Sequence, residues 1–319
     1  MNKESVCAVV VTYNRKELLL ECLEALKNQK YPLDAIYLVD NASTDDTTCL
    51  LLKKGYLKEL PPEKLNENWE SNLTINNTNN QELSIYYVRM SENTGGAGGF
   101  HEGVKRAYEK GYDWLWLMDD DTITTPNSLN NLLNKIELVK EKVGFACSKV
   151  LLNETVHWMN IPKTRRFINK TPFNSYDNLG ILMVESASFV SVLISKIIIR
   201  DVGFPLKEFF IWADDIEYTE RITKKGYMGI YVKDSVVYHK NEGYYNIISD
   251  NNRNSWKYFY GVRNNLYIIK KRNTFLFMTY FMYNITYRNI EILKCRKDSK
   301  LRFIWINTKA SLASLVFNP

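Results

Sequence analysis

The sequence predicts an α/β fold with a Rossmann-like, mostly parallel central sheet flanked by helices, and three observations support this. Continuous apolar runs of strand length alternate with amphipathic segments of helical period along the first half of the chain. Polar side chains follow each run, as expected where the carboxyl ends of parallel strands border a crevice. The 319 residues are 45% hydrophobic and 24% charged, a composition that is sufficient for a sizeable core.

The elements are assigned in chain order. Residues 6–11 form a fully apolar strand, which suits a position covered on both faces of the sheet. Residues 17–29 place leucines along one helical face, and residues 35–39 form a second strand. The alternation then continues over residues 47–54 (helix), 84–90 (strand), 100–110 (helix), 113–118 (strand), 128–142 (helix), 144–151 (strand), 183–191 (strand), 195–202 (helix), 213–225 (helix), 228–232 and 235–238 (strands).

Two segments break the alternation. Residues 59–82 contain Pro61-Pro62 and an Asn-rich stretch, and they predict an exposed insertion loop. Residues 153–180 are poorly periodic and predict a loop or hairpin. We therefore expect one domain over residues 1–250 and a helical region over residues 251–319.

The C-terminal segment is basic and aromatic. Residues 253–319 contain 13 Lys and Arg, 2 Asp and Glu, and 14 of the 42 aromatic residues. The net charge of +6 therefore divides into +11 here and −5 in residues 1–252. This pattern favours amphipathic helices on an anionic membrane surface. An oligomer or domain contact is the first alternative, and a surface for single-stranded nucleic acid is the second and less favoured one.

Cysteine usage and hydropathy indicate a cytoplasmic location. The five cysteines are scattered and odd in number, so neither a disulfide framework nor a zinc site is expected. Residues 1–4 lead directly into a strand without the pattern of a signal peptide. No apolar run reaches the roughly 20 residues that a membrane-spanning helix needs.

The acidic run Asp119-Asp120-Asp121 directly follows the apolar run at residues 114–118. Neighbouring carboxylates repel each other by roughly 4 kcal/mol per pair at about 4 Å and an effective dielectric near 20. The following helix already has a cap in Thr125-Pro126, so the three acids are not needed for capping. The run therefore favours a bound cation, and with it a phosphate, over a solvated acidic turn.

A glycine-rich segment, residues 93–99, precedes a predicted helix N-terminus, where free backbone amides favour phosphate or sugar oxygens. It matches neither Gly-x-Gly-x-x-Gly nor a Walker A sequence, which argues against a dehydrogenase or a P-loop ATPase. The alternative is that these glycines only form a turn and contact no ligand. Its candidate ligand contacts are Asn93, Gly95, Gly96 and Gly99.

Two further sets of polar residues carry candidate chemistry. Asp40 and Asn41 end the second strand, where a carboxylate can accept from a ribose hydroxyl or a base. Asp214 and Asp215 follow Trp212 at a helix start, and a carboxylate there is either a cap or a general base. His239 follows a strand and is interpreted as a metal ligand, with a structural histidine as the alternative.

These motifs, in this order, resemble one family. The segments at residues 9–15, 39–45, 93–99, 118–121 and 212–218, followed by His239, are similar to those of the family 2 inverting glycosyltransferases of the GT-A fold. The resemblance covers residues 5–270. The subgroup that it resembles contains galactofuranosyltransferases and rhamnosyltransferases. It implies that residues 1–250 are a GT-A catalytic domain.

The resemblance also implies roles, which we take over residue by residue. Asp119, Asp121 and His239 would hold Mn²⁺ or Mg²⁺, and Asp215 would be the catalytic base. Ala213 is inserted between Trp212 and the acid pair, so the resemblance does not determine which of Asp214 and Asp215 is the base. The donor nucleotide sugar would contact the remaining candidates: Thr12, Asn14, Arg15, Asp40, Asn41, Asn93, Gly95, Gly96, Gly99, Asp119, Asp120 and Trp212.

The implied reaction moves a sugar from a nucleoside-diphosphate donor to a hydroxyl of a glycan or lipid-linked acceptor in cell-surface polysaccharide synthesis. UDP-galactofuranose is the favoured donor and dTDP-rhamnose the alternative. The protein would lie peripherally at the inner face of the cell membrane, through residues 253–319, and a homo-oligomer is compatible with this. Nucleotidyl transfer also uses clustered acids and a metal, but the glycine-rich segment lacks the expected basic residue.

Overall fold

A computed structural model of the protein describes residues 4–241, 245–250 and 255–319. Its centre is a mixed sheet in the order β11-β13-β7-β12-β5-β1-β2-β4-β3. The thirteen strands described are β1 (Val6–Thr12), β2 (Ala35–Asp40), β3 (Trp69–Asn76), β4 (Glu82–Arg89), β5 (Trp114–Asp119), β6 (Thr122–Thr124), β7 (Val143–Leu152), β8 (Thr155–Val156), β9 (Phe167–Ile168), β10 (Thr171–Pro172), β11 (Ile181–Val184), β12 (Val192–Ser195) and β13 (Met228–His239).

Helices cover both faces of this sheet and form the C-terminal region. A π-helical stretch, Asn284–Arg288, joins α8 to α9. The helices are α1 (Lys16–Lys27), α2 (Thr47–Lys53), α3 (Gly95–Glu109), α4 (Ser128–Ile136), α5 (Lys196–Val202), α6 (Asp214–Lys224), α7 (Lys257–Arg272), α8 (Thr274–Tyr283), α9 (Asn289–Cys295) and α10 (Lys300–Val316).

The prediction of an α/β fold with a mostly parallel sheet is confirmed. Strands β4, β2, β1 and β5 are parallel neighbours, as are β7 and β13, whereas β3, β11 and β12 pair antiparallel. Every residue of β1 is buried, and its side chains alternate between two apolar clusters on opposite faces of the sheet. The continuous apolar runs arise because the central strands are covered on both faces.

The interpretation of residues 59–82 as an insertion loop is wrong for its second half. Residues 69–76 form β3, which pairs antiparallel with β4 at the edge of the sheet. An edge strand has one free side, and most of the polar residues of β3 are partly or fully exposed. Its Asn-rich composition therefore resembles a loop, although its backbone completes the sheet.

Four elements differ from prediction. The strand predicted over residues 183–191 is two strands, β11 and β12, which residues 185–191 connect. Helix α3 begins at Gly95 rather than Phe100, so the glycine-rich segment is itself the first turn. Helix α4 begins at Ser128 as predicted, but its N-cap is Asn127 and not Thr125-Pro126, and it ends at Ile136 rather than at residue 142. The two short strands predicted after residue 228 are one strand, β13, with a register shift between Val232 and Val236.

Helices α7 to α10 make up the C-terminal region from Lys257 onward, whereas residues 251–254 of the predicted helical region lie outside the described residues. Helix α7 packs against the chain before α6 through Phe209, Tyr267 and Ile268. A division of the chain at residue 250 stays a prediction. In the part of the chain that the structure describes, no helix combines the length and hydropathy needed to cross a bilayer.

Candidate active site

A cavity of about 500 Å³ opens at the carboxyl ends of β1 and β5, beside the N-terminal ends of α3 and α6. This is the edge of the sheet where the sequence predicted a ligand. Eleven of the predicted site residues line it: Thr12, Arg15, Asn41, Asn93, Gly95, Gly96, Asp119, Asp120, Trp212, Asp214 and Asp215.

The acidic run is the turn between β5 and β6, and this turn brings His239 to it. Strand β6 pairs with the end of β13, which places His239 opposite Thr122. The amide of Lys240 donates to the carbonyl oxygen of Asp121 at 3.0 Å, which fixes the strand end against the turn. One donor atom each from Asp119, Asp121 and His239 lies within 4.8 Å of the other two, so these residues can hold a metal ion.

The orientation of His239 suits a metal ligand. Its Nδ1 lies 2.9 Å from Oδ1 of Asn160, an acceptor that suits a proton on Nδ1 and leaves Nε2 as the nitrogen that would bind a metal. Nε2 lies 3.0 Å from Oδ1 of Asp121, and that buried oxygen has no hydrogen-bond partner. Two acceptor atoms this close require a proton or a cation between them.

Asp120 faces away from this cluster. Its Oδ2 accepts from the Thr12 hydroxyl at 2.7 Å and from the Tyr13 amide at 3.4 Å. The Arg15 guanidinium lies 3.3 Å from its Oδ1 and also contacts Asp121. Asp120 therefore connects the acidic turn to the end of β1, and Arg15 is the cation that balances both acids.

Burial and mutual repulsion shape the charge of the turn. Burial, followed by the charges of Asp121 and Asp120, raises the pKa of Asp119 well above its usual range, and Asp215 adds to the effect. Burial likewise raises the pKa of Asp120 to about 6, against the opposing charge of Arg15. For Asp121, His239 and Arg15 outweigh burial and lower the pKa. The turn is thus short of positive charge, as expected of a cation site.

The glycine-rich turn is held close to the strained segment before α6. Gly95 has φ +71°, and a Cβ added to it would lie 1.9 Å from the carbonyl oxygen of Phe210. The Asn41 amide donates to the carbonyl of Gly95 at 2.8 Å and accepts from the Thr94 amide at 3.0 Å. Gly96 faces open space at the helix N-terminus, where a ligand oxygen can approach its backbone.

Asp214 and Asp215 begin α6 after a segment with unusual backbone. The backbone φ angles of Phe210, Trp212 and Ala213 lie between +63° and +69°, in a region that residues other than glycine rarely adopt. Burial raises the pKa of Asp214 to about 8, with the charge of Asp215 as the second cause. Burial raises the pKa of Asp215 to about 6, and backbone amides partly oppose this shift. Of the two carboxyls, Asp214 therefore has the more strongly raised pKa.

Three predicted donor contacts lie outside the cavity lining. Asp40 is fully buried, and its carboxylate accepts from the Ser43 amide, the Tyr87 hydroxyl and the Arg89 guanidinium at 2.6–2.8 Å. Asn14 is exposed and contacts Thr44.

The third is Gly99, which packs on Val11: a Cβ added there would lie 2.5 Å from that side chain. Gly99 thus allows α3 to approach β1. These contacts organise the backbone around the cavity.

Three residues that the sequence did not single out complete the site. Lys257 lines the cavity, and burial, followed by repulsion from Arg15, lowers its pKa. Asn160 orients His239, as described above. The Asn264 amide donates to the carbonyl oxygens of Phe209, Ile211 and Trp212 at 2.9–3.1 Å. No local pattern distinguishes these residues, because their roles depend on contacts across the fold.

Comparisons with known proteins agree with this geometry. The model of glycosyl transferase family 2 matches residues 7–55 and 73–186, just over half of the chain. Galactofuranosyltransferase GlfT1 of Mycolicibacterium smegmatis (strain ATCC 700084 / mc(2)155) is 27% identical over 234 residues, which cover 70% of this chain and 67% of that protein. The protein of the same name from Mycobacterium tuberculosis is 33% identical over 118 residues, or 37% of this chain, and this match spans only 31% of that relative's length.

Solved structures share the fold at low identity. The structure of S. aureus TarS residues 1–349 has a TM-score of 0.58 at 14% identity and covers 97% of this chain and 80% of that one. The mannosyltransferase PcManGT from Pyrobaculum calidifontis, in complex with GDP-Man and Mn2+, has a TM-score of 0.52 at 14% identity, with 100% and 77% covered. The family model includes β1, β5 and the acidic turn that carry the cavity, and the chain belongs to glycosyl transferase family 2.

Proposed function

We propose that this glycosyltransferase is metal-dependent and inverting, and that it transfers galactofuranose from UDP-galactofuranose to a hydroxyl of a glycan or lipid-linked acceptor. The observation that carries the proposal is the arrangement of two acidic groups around one cavity. The cluster of Asp119, Asp121 and His239 lies at the acidic turn, and Asp215 lies at the start of α6.

The acidic turn has the donor set of a divalent cation site. Two carboxylates and an imidazole suit Mn²⁺ well and are compatible with Mg²⁺. The close approach of Nε2 of His239 to the unpartnered oxygen of Asp121 supports a cation there. Asp119, Asp121 and His239 would hold this ion, whose role is to neutralise the charge on the departing nucleoside diphosphate. Arg15 and Lys257 add positive charge beside it.

Asp215 would act from the start of α6, where it lines the same cavity. Its carboxylate would remove the proton from the acceptor hydroxyl while that oxygen attacks the anomeric carbon on the face opposite the diphosphate. The bond to the new oxygen forms as the bond to the diphosphate breaks, so the anomeric configuration inverts. Asp214, whose pKa is raised further than that of Asp215, would be the protonated member of the pair and would leave Asp215 as the single charged base.

The identity of the donor is tested directly by a panel of nucleotide sugars. With Mn²⁺ and the purified protein, we expect UDP-galactofuranose to be hydrolysed slowly to UDP, with little turnover of dTDP-rhamnose, UDP-galactopyranose or GDP-mannose. The measurement is chromatographic detection of the released nucleotide. Preferential consumption of dTDP-rhamnose would favour the rhamnosyltransferase alternative. Release of pyrophosphate from a nucleoside triphosphate would favour nucleotidyl transfer.

Helices α8 and α10 and the π-helical stretch expose apolar side chains beside cations, and we propose that this apolar–basic surface contacts an anionic membrane. Its most exposed apolar members are Phe275, Tyr287, Leu301, Trp305 and Val316, each more than half exposed. Exposed cations on or beside these helices are Lys271, Lys294, Lys297, Arg302 and Lys309. Each cation near an anionic surface contributes about 1 kcal/mol. A surface of this kind would place the cavity near lipid-linked acceptors.

Liposome co-sedimentation tests the membrane proposal. We expect binding to phosphatidylglycerol vesicles at low salt, weak binding to phosphatidylcholine vesicles, and release near 1 M salt, where the screening length falls to about 3 Å. Phe275→Ser with Leu301→Ser should weaken binding, whereas Leu138→Ser, an exposed leucine after α4, should not. Salt-insensitive binding would contradict an electrostatic contact. A dimer in solution that the double substitution dissociates would favour the oligomer alternative.

Asn264 is predicted to position the base. Asn264→Ala removes three hydrogen bonds to the strained segment before α6, so Asp215 should lose its alignment. A misplacement near 1 Å costs about 10²-fold in rate, so we expect a fall of that order in the transfer rate. Binding of UDP, measured by calorimetry, should change little.

The matched control for this prediction is Asn77→Ala. Asn77 is a buried asparagine that caps the turn between β3 and β4, remote from the cavity. It should lower the melting temperature without this rate effect. Equal rate losses in the two variants would mean that Asn264 acts on stability alone.

A further inference from the structure

A second cavity of about 570 Å³ adjoins the first. Helices α7, α8 and α10, the π-helical stretch and residues 245–247 enclose it. Trp212 and Tyr245 line both cavities, and their ring centroids lie 5.0 Å apart. Trp212 is also three residues before Asp215. A ligand that occupies the second cavity therefore has one end close to the proposed base.

The lining of this second cavity suits a polyhydroxylated ligand of low charge. Four aromatic side chains, four asparagines and four aliphatic side chains line it, and Arg288 is the one charged residue among the described lining. That guanidinium is already neutralised by Glu291 at 2.9 Å and lies over the Tyr283 ring. Flat aromatic faces pack against sugar rings, while amides both donate to and accept from hydroxyl groups.

Asn307 provides the second, independent observation. It is fully buried in α10, and its Nδ2 donates to the carbonyl of Asn284 at 2.8 Å and to Oδ1 of Asn289 at 2.9 Å. The Asn289 amide nitrogen donates to the Ile285 carbonyl, so the orientation of both amides is fixed. Oδ1 of Asn307 is left buried with no hydrogen-bond partner. Because Asn307 also lines the cavity, a ligand hydroxyl that reaches this oxygen would satisfy it.

Gly261 allows α7 to approach Trp212 closely. A Cβ added to Gly261 would lie 2.7 Å from the Trp212 ring, so α7 can approach only because no side chain intervenes. The ring is also packed edge-on against Tyr258. Trp212 is thus fixed between the two cavities by residues of the C-terminal helices, which links that region to the reaction centre.

We propose that the second cavity binds the acceptor saccharide, and specifically the sugar units that precede the hydroxyl to be glycosylated. This inference rests on the proposed function, because it concerns the acceptor of the same reaction. The glycan would lie against Tyr258 and Tyr280, donate to Oδ1 of Asn307, and extend past Trp212 toward Asp215. The length of acceptor bound would then be determined by α7, α8 and α10.

Saturation-transfer NMR with methyl glycosides is the test. The probes are the mono- and disaccharide methyl glycosides of galactofuranose and rhamnose, with saturating UDP and Mn²⁺ occupying the donor side. We expect at least one disaccharide to bind the wild-type protein and to remain bound in the presence of UDP. Asn265→Trp, which adds bulk from an exposed position of α7 into the cavity, and Tyr280→Ala, which removes a ring, should each weaken binding about tenfold.

Asn134→Trp makes the same substitution at an exposed position of α4, remote from both cavities, and should leave binding unchanged. The inference is overturned if no probe binds, if UDP displaces the glycoside, or if Asn265→Trp and Tyr280→Ala bind as the wild type does. Donor hydrolysis by the wild-type protein distinguishes a failure of this inference from a failure of the proposed function. Hydrolysis of a nucleotide sugar without glycoside binding refutes this inference and leaves the proposed function standing. Absence of any hydrolysis refutes the proposed function and this inference with it.

Discussion

Asp215→Asn is expected to lower the rate of glycosyl transfer by about 10²–10⁴-fold, the usual contribution of a general base. Asparagine has nearly the same shape as aspartate but cannot accept the proton of the acceptor hydroxyl. Because Asp215 is not a member of the metal-binding cluster and makes no ion pair with Arg15, affinity for UDP should be nearly unchanged. Transfer is measured by product formation with a saturating acceptor, and UDP binding by calorimetry.

The neighbouring acid is the matched control. Burial and the charge of Asp215 raise the pKa of Asp214 to about 8, so we expect Asp214 to be protonated at pH 7 and Asp214→Asn to cost much less. A base with its pKa raised to about 6 is ionised above that value, so wild-type transfer should fall as the pH drops through about 6. A larger loss in Asp214→Asn than in Asp215→Asn would reverse the assignment of the base.

Asp121→Asn is expected to lower the affinity for Mn²⁺ by about 10²-fold or more, beyond the 10–100-fold that outer contacts of a metal site contribute. The substitution removes a buried negative charge and replaces one donor oxygen by an amide. His239→Ala should have a similar effect and raise the Mn²⁺ concentration needed for activity. Free and bound Mn²⁺ are distinguished by electron paramagnetic resonance, which does not depend on turnover.

Two further variants make the metal prediction specific. Asn160→Ala should weaken Mn²⁺ binding about 10–100-fold, because Asn160 orients the imidazole without being a ligand. Asp120→Asn should leave Mn²⁺ affinity close to that of the wild type, because Asp120 contacts Thr12 and Arg15 instead. Unchanged Mn²⁺ affinity in both Asp121→Asn and His239→Ala would show that the cluster is not the metal site.

Much of the fold could be predicted because its central strands are apolar on both faces. Strands β1, β2 and β5 lie within one residue of their predicted bounds, since each apolar run ends where the chain leaves the covered part of the sheet. Strand β3 could not be predicted in this way. Its position at the sheet edge leaves polar side chains exposed, and pairing with β4 is not visible in its composition.

The residues of the candidate site likewise include some that the sequence identifies and some that it does not. Asp119, Asp120 and Asp121 are recognisable because three adjacent acids at a strand end have a local electrostatic cost. Asp40 illustrates the limit of this reasoning. It ends a strand as a ligand contact would, but Tyr87 and Arg89, which lie on the adjacent strand, engage its carboxylate.

The sequence by itself determined the parallel α/β architecture, the edge of the sheet where the cavity lies, and the acids that border it, since these follow from local hydropathy and charge. Only the tertiary structure decided how distant residues complete the site. The pairing of β6 with β13 brings His239 to Asp121, and α7 brings Lys257 and Asn264 to the cavity. These contacts join residues more than 40 positions apart, so they depend on packing that no local pattern encodes.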